Sequence, residues 1–80
     1  MDITRLHNLA ISDTGFIFDP VTGNSYNTNE TGVYILNKLK ERLDVEEIAK
    51  KITEIYDVEC EIAEQDIFQL IEMLQSNYLV

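Results

Sequence analysis

The eighty-residue chain holds one cysteine and one histidine. An internal disulfide is excluded, and a structural zinc site is left without any pair of Cys or His ligands. The lone Cys60 fits a reducing cytoplasm. The longest apolar run, Val33 to Leu36, falls far short of the roughly 20 residues that span a bilayer. No basic-then-apolar leader stands ahead of the first structural signals, so a cytoplasmic chain is expected, with no membrane association. Bases are also scarce: six Lys and Arg face fifteen Asp and Glu, for a net charge of −9. Residues 53–80 carry seven acids and no base, so the last third of the chain repels phosphate.

These absences remove several functions. Strands followed by three helices can make a winged helix, but groove binding needs a basic surface. The last helical segment offers Glu61, Glu64, Asp66 and Glu72 and no Lys or Arg, so no nucleic-acid partner is expected. His7 has no Ser or Cys at a suggestive spacing, and triad roles need a positioned partner. Cys60 sits among Asp57, Glu59 and Glu61, which raise a thiol pKa and oppose nucleophilicity. Adjacent acids such as Glu46 and Glu47 do not face each other on a helix and read as solvated surface. Thr22-Gly23 and Thr31-Gly32 are isolated glycine signals, well short of a phosphate loop. The chain is therefore expected to have no catalytic residue, no metal and no cofactor. A small acidic carrier of a swinging prosthetic group would be helical throughout, whereas this chain spends its first 28 residues on hairpins.

What is present fits one small domain over residues 1–80. Apolar residues make up 45% of the chain, enough for a single modest core. Leu9 and Ile11 alternate with Ala10 and Ser12, a half-buried strand. Asp13-Thr14-Gly15 suits a tight turn with Gly15 at positive φ. Phe16 and Phe18 share one face of the next strand and Ile17 the other, so this strand is expected to be covered on both sides. Asp19-Pro20-Val21-Thr22-Gly23 is a stronger turn, leading into a polar strand over 24–28. Asn29 or Thr28 caps a first helix that buries Val33, Leu36, Leu39 and Leu43. Asp44 and Glu47 make a capping box for a second, with an apolar stripe of Val45, Ile48, Ala49, Ile52, Ile55 and Tyr56. A third helix runs from near Glu61 to about Ser76, stopped by a left-handed Asn77, with Tyr78-Leu79-Val80 packing back. The fold class is α+β: a three-stranded antiparallel meander followed by three helices, winged-helix-like.

The third strand has no later strand to pair with. An unpaired row of N–H and C=O groups is either hidden or used to capture another extended chain, and here it reads as used. The third helix docks through Ala63, Ile67, Leu70 and Leu74, with Phe68 and Ile71 to one side of that arc and Ile62 and Met73 to the other. Phe68 and Ile71, with Glu64 and Gln75 at helical spacing, are expected to form the second wall of a peptide groove, although periodicity leaves open which flank faces it. The acidic helix asks for a partner with basic residues beside the docked strand, bound more weakly as salt rises.

The run LAISDTGFIFDPVTGNSYNTNETGVYIL, then DVEEIAKKI, EIYDV and DIFQLIEMLQSNYLV, resembles the PqqD family from Leu6 onward. More narrowly, it is similar to the branch of small PqqD-related peptide chaperones associated with HPr-kinase-like proteins. The resemblance implies a RiPP recognition element, a non-catalytic domain that binds the leader of a ribosomally made precursor peptide between its third strand and third helix. It then presents that peptide to a modifying enzyme, expected here to be a separate protein. The family's peptide edge maps to Ser25, Tyr26, Asn27 and Thr28, and its helical wall to Glu64, Phe68 and Ile71. The alternative is a regulatory or scaffolding subunit that docks a partner protein on the same edge, with no precursor peptide.

Overall fold

The computed structural model describes residues 3–80. A short 3-10 turn, Arg5–Asn8, leads into strands β1 (Ala10–Ile11), β2 (Phe16–Phe18) and β3 (Ser25–Asn27). Helices α1 (Glu30–Lys40), α2 (Val45–Tyr56) and α3 (Cys60–Ser76) follow. The strands form one antiparallel meander in the order β1-β2-β3, as the two turn signals require.

Gly15 makes the first turn possible. Its φ of 97° suits glycine, and a Cβ there would run into the carbonyl oxygen of Thr28. The second turn closes through Gly23 N–H donating to Asp19 O at 2.8 Å. Asp19 is also a structural hub, which the sequence reading missed. It is buried, accepts from Val21 N–H and the Thr22 hydroxyl, and pairs with Arg5 at 2.6 Å. Arg5 in turn reaches the carbonyl of Tyr78 at 3.4 Å, so one guanidinium joins the amino-terminal turn, the β2–β3 turn and the tail. The only available signal was that Arg5 is the sole base among the first 28 residues.

The caps behave as expected. Asn29 accepts from Gly32 N–H at 2.8 Å to start α1. The Asp44/Glu47 capping box starts α2 with both of its reciprocal bonds made. Ile17 from the sheet, Ile35 and Leu36 from α1, Ile48 and Ile52 from α2, and Ile67 and Leu74 from α3 meet in one core. Leu6 of the 3-10 turn and Leu79 of the tail close it, both fully buried.

Three expectations need correction. The central strand is covered on one face only: Ile17 is fully buried, but Phe16 and Phe18 remain 47% and 38% exposed. No element follows on that side of the sheet, because all three helices pack on the Ile17 face. Ile55, at the margin of the α2 stripe, is exposed, while Ile48, Ala49 and Ile52 at its centre are buried. The left-handed residue after α3 is Tyr78 (φ 57°), not Asn77 (φ −103°). Asn77 keeps an ordinary backbone and caps the Met73 carbonyl through Nδ2 at 2.8 Å, and Tyr78 then swings out so that Leu79 turns inward.

Candidate functional site

The geometry of the β3 edge follows from its register. Phe16, Ile17 and Phe18 pair with Asn27, Tyr26 and Ser25. Thr28 N–H donates to Gly15 O at 2.8 Å, and Asp19 N–H to Asn24 O at 2.9 Å. In an antiparallel ladder, bonded and non-bonded pairs alternate. Asn24, Tyr26 and Thr28 therefore point their backbone groups at β2, whereas Ser25 and Asn27 point theirs outward. Side chains follow the other alternation. Tyr26 is half-buried on the helical side, and Ser25 and Asn27 share the open face with Phe16 and Phe18. The vacant edge thus amounts to the backbone of two residues.

Thr28 is held rigidly at the end of this edge. Its N–H is bonded to Gly15, and a Cβ on Gly32 would collide with its side chain. The absence of a side chain at Gly32 lets α1 start hard against β3. The Thr31-Gly32 pair, uninformative as a motif, is thereby a packing requirement of the site.

Beside the edge lies a cleft of about 260 Å³. Asn27, Thr28, Asn29, Thr31, Gly32 and Ile35 form one wall, and Asp66, Gln69, Leu70 and Met73 of α3 form the other. The α3 residues recur at the spacing of one helix face. Apolar Ile35, Leu70 and Met73 combine with polar groups from both walls. The volume lies below the roughly 300–1,000 Å³ of pockets that enclose a small-molecule ligand, and suits side chains of a chain lying along the edge.

The cleft unites only part of the residues expected from sequence. Asn27 and Thr28 line it, and Ser25 and Tyr26 continue the same strand. Glu64, Phe68, Ile71 and Gln75 do not line it. At 100° per residue, Phe68 lies about 200° around α3 from Asp66, on the opposite flank. There Phe68 is 52% exposed and Ile71 is half-buried against the core. Sequence reasoning identified both flanks as apolar and favoured the more aromatic one. The distinction is tertiary: it depends on which side of α3 meets the start of α1. Asp66, Gln69, Leu70 and Met73 were missed as a group because Leu70 reads as core and Asp66 as solvated acid.

Cys60 is not placed for nucleophilic chemistry. Cys60 is exposed, and partial desolvation together with Glu64, Glu61 and Glu46 pushes its thiol pKa up, so the thiolate is disfavoured. Among the described residues, no group of three or more His, Cys, Asp or Glu could hold a metal ion, and no helix is long and apolar enough to cross a membrane.

Similarities to known proteins bear on this arrangement. The chain is similar to a protein described as lasso peptide synthetase B1 complexed with the leader peptide, at 30% identity and a TM-score of 0.75, over 86% of this chain and 82% of that one. It is also similar to TbiB1 in complex with the TbiA(beta) leader peptide, at 25% identity and a TM-score of 0.76, over 89% and 84% of the two chains. No curated protein matches. The family described as coenzyme PQQ synthesis protein D matches residues 15–80, from the Gly15 turn through the whole of β3 to the tail, and the chain belongs to this PqqD family.

Proposed function

We propose that this protein is a RiPP recognition element: a non-catalytic chaperone that captures the leader of a precursor peptide as a fourth strand on β3 and presents it to a separate modifying enzyme. The observation that carries the reading is the two-residue vacant edge, Ser25 and Asn27, lying directly beside a cleft closed by α3. Main-chain bonds from the edge supply affinity that is indifferent to sequence, and the cleft supplies the choice of side chain. The similarity to two leader-bound proteins supports the same occupant. Both belong to lasso peptide or TbiB1 systems, so the narrower HPr-kinase-associated branch gains no support from them.

The peptide-binding residues are Ser25, Tyr26, Asn27 and Thr28 on the strand, with Asp66, Gln69, Leu70 and Met73 taking the place of Glu64, Phe68, Ile71 and Gln75 as the helical wall. The protein needs no cofactor for this task, and a free, exposed Cys60 suits a reducing compartment. The guest loses chain entropy on ordering, which holds affinity to roughly the nanomolar-to-micromolar range. Titrating the protein with a synthetic leader, taken from a short precursor reading frame next to the gene, tests this. One-to-one binding in that range is the expected result. No binding by any neighbouring precursor, together with capture of a folded partner through the same edge, would establish the scaffolding role instead.

A further inference from the structure

The cleft also specifies what the captured strand carries, an inference that rests on strand addition to β3. Side chains of a guest strand alternate between the two faces of the extended sheet. Guest residues opposite Ser25 and Asn27 point to the open face, beside Phe18 and Phe16. Those opposite Tyr26 and Thr28 point to the helical side. Thr28, not Tyr26, lines the cleft, so the residue opposite Thr28 is the one that enters it. There it meets the apolar Ile35, Leu70 and Met73 together with Asp66 of the α3 wall.

Asp66 has no partner of its own. Among the described residues the ion pairs are Arg5–Asp19 and Lys38–Glu41, and no hydrogen bond engages the Asp66 side chain. Residues 53–80 hold no base that could serve it. The start of α1 is the one positive feature nearby, through its helix dipole. That charge is already engaged: Asn29 takes the Gly32 and Val33 N–H groups, and Glu30 occupies the first turn. An acidic guest residue would therefore meet the unpaired Asp66 carboxylate. A long side chain with an apolar stem and a cationic head suits both halves of the cleft, its methylenes on Ile35, Leu70 and Met73 and its charge at Asp66. We infer that the recognised peptide places a lysine or arginine opposite Thr28, with Asp66 as its selecting partner.

The probe is a phage-displayed library of random twelve-residue peptides, panned in parallel on the wild-type protein and on Asp66→Asn and Asp66→Lys. Asp66 is exposed on α3, so both variants should retain the wild-type circular dichroism and melting profile. The expected result is enrichment of Lys or Arg at one position on the wild type, loss of that preference on Asp66→Asn, and a switch to Glu or Asp at the same position on Asp66→Lys. Resynthesised wild-type binders should weaken several-fold on Asp66→Asn and about tenfold on Asp66→Lys. Peptides captured through the edge, judged by loss of binding when alternate guest amides are N-methylated, but with no basic preference at any position, would overturn the inference and leave strand addition standing. Library peptides captured with no sensitivity to N-methylation, or no capture at all, would overturn both.

Discussion

The two edges of the sheet have been treated differently. The β1 edge is short, and Lys40 from α1 extends over it to donate from Nζ to the carbonyl of Leu9 at 3.1 Å. A short strand and a lysine are recognised ways of making an edge unattractive to other chains. By the register that sets Ala10 opposite Phe18, Ile11 is the one β1 residue left presenting its backbone outward. The β3 edge has no such guard. Ser25 and Asn27 offer their N–H and C=O groups, Thr28 is pinned at one end by two glycines, and a cleft runs alongside. A guarded edge on one side and an open edge beside a cleft on the other match the proposed use of β3 for binding.

The largest effect should come from proline. Asn27→Pro removes an outward N–H without touching the β2 ladder, so the fold should survive while leader affinity falls at least about tenfold, the weight of one main-chain bond plus the intruding ring. Ile11→Pro makes the equivalent lesion on the guarded edge and should leave affinity unchanged, whatever it costs in melting temperature. Equal losses from the two prolines, measured by isothermal titration, would erase the distinction between the edges.

The two flanks of α3 sharpen the comparison next. Met73→Asp places a charge in the cleft and should weaken binding severalfold beyond Phe68→Asp, which changes an exposed side chain on the far flank. The reverse order would return the groove to the Phe68 side. Phe68→Asp should melt close to the wild type and Met73→Asp somewhat lower, since Met73 packs in part against the core, whereas Leu74→Ala, at a fully buried position, should cost about 2–5 kcal/mol.

Acid should act on the scaffold that holds the open edge. Burial pushes the Asp19 carboxyl upward, but bonds from Val21 and Thr22 and the charge of Arg5 outweigh it, so its pKa lies below the usual 3.8. A depressed carboxylate stabilises the fold fully above its unfolded pKa, and that contribution disappears as pH falls through the folded value. Thermal melts of Asp19→Asn should therefore be less stable than wild type at neutral pH, with the gap narrowing below about pH 4. A gap independent of pH would mean that Asp19 acts only through its shape. The smallest effect is that of salt: affinity for a basic leader should decline modestly from low to high ionic strength, through screening of α3.

The sequence made the order of elements legible because each signal was local. The Gly15 and Gly23 turns, the Asn29 cap and the Asp44/Glu47 box each lie within a few residues of the structure they set. That β3 is an open edge was legible for the same reason, since a polar strand followed only by helices has nothing left to pair with. Which flank of α3 borders the cleft beside that edge was not. Met73 and Phe68 are both apolar residues beside the same buried arc, and only the approach of α1, made possible by the bare Cα of Gly32 against Thr28, decides between them. The Arg5–Asp19 pair was invisible for a similar reason, its partners being distant in sequence and brought together by the finished fold.

Residue-resolved amide hydrogen exchange, with and without a leader peptide, tests the vacant edge most directly. The ladder predicts that Tyr26 is protected in the free protein, that Ser25 and Asn27 exchange quickly, and that these two slow together when the peptide binds. Protection of Ser25 and Asn27 already present in the free protein, or a bound state that protects the Phe68 flank and leaves both amides fast, would contradict it.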